Sequence, residues 1–190
     1  MARKRMLFTF KEVAERGPYD EYPVLPVEVD PQLHLSRNDR DQPFYLSCSK
    51  DTVIVQMAGE GRVEFRDSSV NYFELTPGDF VYVPAGTHHR LHPDGENVTY
   101  RYRARNPGME SIVWYCEECD DVLFSVDYDG EHVPVQTAYA DACETFNAST
   151  ADRACRSCAH VHPPLDLSAF RWREIAAELA ADDTAAVAAT

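Results

Sequence analysis

The sequence predicts an all-β barrel or sandwich, and three observations carry that prediction. From about residue 33 the apolar pattern alternates with a period of two. The alternating runs are short. Compact turn signals separate them at close intervals, which is the pattern of antiparallel strands and not of βα units. The runs fall at residues 44–48, 53–57, 62–65, 72–75, 80–83, 98–103 and 111–115. Between them lie Gly59-Glu60-Gly61, Arg66-Asp67-Ser68-Ser69, Thr76-Pro77-Gly78-Asp79, Pro84-Ala85-Gly86 and Pro93-Asp94-Gly95. A further hairpin is expected from residues 122–128 and 133–136 around Asp129-Gly130.

Two helices flank this core. Thr9-Phe10-Lys11-Glu12 has the form of a capping box, and Gly17-Pro18 stops the helix it starts. Residues 18–32 contain Pro18, Pro23, Pro26 and Pro31 and read as an extended arm. Near the other end, Trp172, Ile175 and Leu179 share one face of a helix over residues 168–180. The run AADDTAAVAAT after it carries no pattern and is expected to fray.

Composition narrows the function. The 190 residues carry 18 basic and 32 acidic side chains, a net charge of −14. Such a surface repels phosphate backbones, so no nucleic-acid partner is expected, and the basic start (Arg3, Lys4, Arg5) is too short to reverse that. No stretch has the length of apolar residues needed to cross a bilayer, and no apolar run of secretory type follows the basic start. A cytoplasmic, membrane-free protein is the expectation, and in that compartment thiols stay reduced.

The six cysteines then become candidates for metal binding before disulfides. Cys116-Glu-Glu-Cys119 and Cys155-Arg-Ser-Cys158 are two Cys-x-x-Cys knuckles. Each can chelate one ion from a tight turn, and together they complete a tetrahedral four-sulfur site. Iron and zinc both accept four thiolates, so spacing leaves the metal open. Four protein ligands leave no position for substrate, so the role is structural. Cys48 and Cys143 remain as singles.

Residues 78–89 read GDFVYVPAGTHH, a G-x5-P-x-G-x2-H pattern that is the second motif of the cupin (double-stranded β-helix) barrel. Residues 52–59 have the length and closing glycine of the first motif. With FTF at 8–10, VQMAGEGRVEF at 55–65, RARNPGMESIVWYCEEC at 103–119 and CRSCAHVHPP at 155–164, the chain resembles the bacterial 3-hydroxyanthranilate 3,4-dioxygenase family. The resemblance covers about residues 7–164. It implies a cupin barrel over residues 1–110, a rubredoxin-like metal-binding segment over 111–164, and a helix with its tail over 165–190. It also implies a homodimer.

The resemblance implies, too, that the family's non-heme iron site has been dismantled. The family binds iron through two histidines and a glutamate. Only His89 matches. The glutamate position holds Thr52 and the first histidine position holds Leu46. The two substrate contacts fall at Pro93 and near Tyr102, and Arg40 matches an arginine near the oxygen site. The alignment turns Tyr100 and Tyr102 inward and the arginines of Thr99-Tyr-Arg-Tyr-Arg103 outward. The candidate catalytic residues are therefore His89, Tyr102, Arg40 and Cys48, the last as a second ligand beside His89 or as a nucleophile activated by it. Strand alternation puts His88 and His92 on the rim; His160 and His162 follow the last knuckle and are expected to pack beside the metal, since four cysteines already suffice to bind it. The first functional reading is an enzyme of dioxygenase descent that acts on a small aromatic or amino acid by chemistry other than ring opening. The alternatives are a non-catalytic cupin that binds a small molecule or a partner, and the unaltered dioxygenase.

Overall fold

The computed structural model describes residues 6–66 and 68–188, so Arg3, Lys4 and Arg5, with Asp67 of one expected turn, lie outside the described residues. Its strands are β1 (Tyr22–Pro23), β2 (Gln32–Asn38), β3 (Tyr45–Cys48), β4 (Thr52–Ala58), β5 (Gly61–Phe65), β6 (Tyr72–Leu75), β7 (Phe80–Val83), β8 (His89–Pro93), β9 (Asn97–Arg103), β10 (Met109–Tyr115) and β11 (Val122–Asp129). Its helices are α1 (Thr9–Glu12), α2 (Val135–Ala148), α3 (Thr150–Arg153) and α4 (Trp172–Ala188). Two antiparallel sheets face each other, one in the order β1-β2-β9-β4-β7 and the other β11-β10-β3-β8-β5-β6. This is the expected cupin barrel.

Alternation sets which side chains fill it. On β4, Ile54 is sealed while Val53 and Val55 are half-buried; on β7, Val81 and Val83 are buried between exposed Phe80 and Tyr82. Leu46, Ile54, Val63, Val81, Leu91 and Ile112 meet in the space between the sheets. Gly59 closes the first motif at φ +69°, where a Cβ would lie 2.3 Å from the Glu96 carbonyl, so the β4–β5 turn needs glycine both for its backbone and for that close approach. The arm covers the outer face of the first sheet, where Val13 and Val24 pack with Leu35, Val98 and Tyr100.

Four expectations change. Residues 133–136 do not return as a strand: Pro134 is the N-cap of α2, whose Ala138, Ala140, Ala142 and Phe146 are buried against the second sheet. Residues 168–171 are not helical, and α4 runs on to residue 188 where fraying was expected; residues 189–190 lie outside the description. The capping box at Thr9 does not form; Phe8 is the N-cap, and the Thr9 hydroxyl is 2.7 Å from that of Tyr100. The fourth concerns orientation on β9 and is taken up below. The expected boundary at 110/111 falls inside β10, which pairs with both β3 and β11. No helix among the described residues is long and apolar enough to cross a membrane.

Candidate functional site

The two knuckles close on each other. Cys116 follows β10, Cys119 precedes β11, and Cys155 and Cys158 follow α3. The four sulfurs lie within 4.8 Å of one another, with Cys116–Cys158 and Cys119–Cys155 each at 3.5 Å. Four thiolates at about 2.3 Å from one ion form a tetrahedron of this size. The knuckles share one backbone design. Asp120 N–H donates to the Cys116 carbonyl and Ala159 N–H to that of Cys155, both at 3.0 Å. Asp120 and Ala159, each just past the second cysteine, are both left-handed, at φ 62° and 63°. The backbone amides of Cys158 and Ser157 point at Cys155 and lower its thiol pKa, favouring the thiolate that a metal needs. The donor set fits a metal and has no open position. His162 packs its ring on Phe146 at 5.4 Å, beside this centre.

The barrel interior is different. β3 and β8 place Leu46 directly opposite His89, and Thr52 opens β4 with its hydroxyl spent on the Tyr102 carbonyl at 2.6 Å. Of the three family ligand positions, only the imidazole could bind a metal. Both of its nitrogens are engaged: Nδ1 donates to the Thr87 carbonyl at 3.0 Å, and Nε2 accepts from Arg101 Nη1 at 2.6 Å. Burial, followed by the Arg101 charge, pushes the His89 pKa down to about 3. A neutral imidazole facing a guanidinium, with leucine and threonine as neighbours, does not fit a ferrous ion at this place.

Arg101 is inward because it sits opposite Ile54 of β4, and Arg103 shares its face. The tyrosines are outward: Tyr102 is 38% exposed, and Tyr100 is buried under the arm, outside the barrel. That inverts the expectation for β9. Glu21 accounts for it. The arm inserts this carboxylate at φ 45°, and it accepts from Arg101 Nε at 3.0 Å. Arg103 Nη2 donates to Glu110, which also accepts from the Tyr128 hydroxyl. Burial opposes the charge of Glu21, but Arg101, His34 and Arg103 outweigh it and hold the carboxyl far below the usual range. Inward tyrosines would have left these two carboxylates buried and uncompensated.

The remaining candidates are not brought together. Arg40 is on the surface, paired with Asp39 at 2.7 Å. Cys48 is buried, opposite Glu110, and burial with that carboxylate pushes its thiol pKa up to about 12, so it is neither a thiolate nor a partner of His89. His92 is on the rim as expected, between Glu64 and Asp41 at 2.7 and 3.0 Å. Sequence reasoning missed Glu21, Arg101, Arg103 and Glu110. The alternation of Thr99–Arg103 showed that the arginines share one face, but no signal in the sequence said that this face is inward.

At one end of the barrel, Gln32, His34, Arg103, Glu110, Tyr128 and Gln136 line a cleft of about 230 Å³ roofed by α2 and α4. Its volume is below the roughly 300–1,000 Å³ of sites for drug-sized ligands, so it admits only a small molecule.

Comparison with known proteins agrees with the fold. Residues 50–155 match the family model described as the AraC-like ligand binding domain. The 3-hydroxyanthranilate 3,4-dioxygenase of Bacillus cereus (strain ATCC 10987 / NRS 248) is 29% identical over 133 residues, covering 66% of this chain and 70% of the relative. That of Bacillus thuringiensis (strain Al Hakam) is 28% identical over the same length and shares. Among solved structures, a cupin-2 domain containing protein from Shewanella frigidimarina aligns with a TM-score of 0.45 at 18% identity, covering 53% of this chain and 94% of that one. A family model that spans more than half of these residues makes the chain a member of the AraC-like ligand binding domain family, a cupin similar to the bacterial 3-hydroxyanthranilate 3,4-dioxygenases.

Proposed function

We propose that this chain is a small-molecule-binding cupin of dioxygenase descent that does not open aromatic rings through a barrel iron. The observation that carries it is the Arg101 guanidinium on His89 Nε2, with Leu46 and Thr52 at the other two ligand positions. The guanidinium puts a fixed positive charge where the relatives' chemistry needs an open metal position. The structural metal belongs to the four cysteines, as iron or zinc.

The test is a metal count paired with an activity assay. Protein reconstituted with Fe(II) should hold one metal per chain. His89→Ala should leave that count unchanged, and Cys116→Ser with Cys158→Ser should abolish it. 3-Hydroxyanthranilate, the compound that names the relatives, should show no ring-opening absorbance change. A second metal lost in His89→Ala, or turnover of that compound, overturns the reading.

A metal-independent enzyme acting on a small aromatic or amino acid is the second reading. Glu110 and Tyr128 are the groups it would use: a carboxylate and a phenol hydroxyl, hydrogen-bonded to each other on the cleft wall.

A further inference from the structure

We infer that the cleft at the end of the barrel binds a free α-amino acid with an apolar side chain, taken up as the zwitterion. This deepens the small-molecule reading and rests on it, but at a site that contains none of the positions aligned with the relatives' iron ligands.

Two side chains on the cleft wall are more than nine-tenths buried and each keeps one polar atom without a hydrogen-bond partner. They are Arg103, through Nη1, and Gln32, through Oε1. His34 Nδ1, on the same wall, also lacks one; its nearest charged neighbour is Glu21 Oε2, at 3.5 Å. Buried polar atoms are nearly always satisfied, so an unmet donor and an unmet acceptor on one cavity mark what an occupant would supply. Their polarity is fixed. Gln32 Nε2 already donates to the Pro26 and Val29 carbonyls, at 2.9 and 2.5 Å, which leaves Oε1 as an acceptor. Arg103 Nη2 is committed to Glu110, which leaves Nη1 as a donor whose one charged neighbour, Glu21 Oε2 at 3.8 Å, is beyond hydrogen-bond distance.

Spacing and charge narrow the class further. Gln32 and Arg103 are directly opposite in the β2–β9 register, so their side chains leave neighbouring points of the sheet. The ligand's acceptor and donor must then sit close together. Among the buried groups, Arg101 and Arg103 balance Glu21 and Glu110, and the other cation on the cleft, Arg105, is exposed to solvent, so a net anion or a net cation would leave an uncompensated buried charge. A carboxylate beside an ammonium meets every condition: it accepts from Arg103, donates to Gln32 near the Glu110 carboxylate, and has no net charge. The opposite wall, with Val27, Val135 and Leu179, is apolar and would receive the side chain.

The test is calorimetric titration of the whole protein with L-phenylalanine, 3-phenylpropanoate and 2-phenylethylamine, which share the ring but carry both charged groups, the carboxylate alone, or the ammonium alone. Each hydrogen bond to a charged group contributes roughly 1.5–3 kcal/mol, so the amino acid should bind at least about tenfold more tightly than either analogue. Val27→Trp, at a position 60% exposed in the free protein, and Leu179→Trp should fill the cleft and weaken binding at least about tenfold while circular dichroism stays unchanged. Equal affinity for all three compounds overturns the zwitterion. Unchanged affinity in both tryptophan variants overturns the cleft and leaves the small-molecule reading standing. No binding of any of the three overturns the inference, whereas the metal count and ring-opening assay judge the function reading separately.

Discussion

Ala159 and Asp120 do the same job in the two knuckles: each turns the chain left-handed just after a second cysteine, so that its N–H can reach back to the first. An L-residue with a Cβ pays roughly 1–2 kcal/mol for that conformation, and glycine does not. Asp120 offsets part of the strain through its ion pair with Arg66, whereas Ala159 makes no such pair among the hydrogen bonds and salt bridges described. Ala159→Gly should therefore raise stability by about 1 kcal/mol, read as a higher urea midpoint at constant metal occupancy. An unchanged or lower midpoint would show that the knuckle tolerates the alanine without strain. At this scale the four cysteines were legible because chelation needs only their spacing. Arg101 was not, because period-two alternation gives two faces without saying which is inward. The choice was made by Glu21, a carboxylate 80 residues away in a proline-rich arm that carries no pattern of its own.

α2 is the element that sequence periodicity hid. Its buried side mixes three alanines with Gln136, Tyr139, Cys143 and Phe146, so the apolar stripe is weak, and Pro134 in front of it reads as a turn. Small residues are what the packing needs: they let the helix lie close to the second sheet and drive a few large rings into it. Phe146 is fully buried and stacks on Trp114 of β10 with centroids 4.5 Å apart and planes 8° apart. α4 clamps the other side. Its Trp172 indole donates to the Tyr19 carbonyl at 2.9 Å, and Trp172 packs edge-on against Tyr139 of α2. Trp172, Ile175 and Leu179 were readable as one face because their spacing is strongly periodic, but the helix start was not. Phe146→Ala should cost roughly 3–5 kcal/mol, the range for emptying a buried aromatic site, measured by urea unfolding. The metal count should survive the change, since the knuckles close through their own backbone bonds. A cost below about 1 kcal/mol would mean that α2 is not anchored through this ring.

Across the whole molecule, the cupin scaffold keeps its two sheets and its glycine-marked turns and fills the interior with ionic groups around His89. The barrel motifs made the scaffold legible; the ionic interior depends on contacts among β2, β9, β10 and the arm, which no local pattern encodes. This arrangement makes stability depend on pH in one direction. His89 has a folded pKa of about 3 against 6.5 for an ordinary histidine, so below pH 6.5 the unfolded chain takes up a proton that the native barrel refuses. Stability therefore falls as pH drops from about 6.5 toward 3. Between those values the slope from this one group is about 1.4 kcal/mol per pH unit. Burial lowers His34 as well, which adds the same sign. Arg101 and Arg103 hold Glu21 and Glu110 below the usual carboxylate value of 4.5 against the opposing effect of burial, so their contribution is full above that pH and is lost below it. All four groups act together, and acid should open this barrel from its centre. Urea midpoints measured from pH 8 to 4 should begin to fall near pH 6.5. In His89→Gln the fall between 6.5 and 4.5 should be shallower, because one of the refused protons is gone. Acid release of the cysteine metal is common to both proteins and cancels in their difference. Parallel curves for wild type and variant over that window would show that His89 is not held neutral by burial and Arg101.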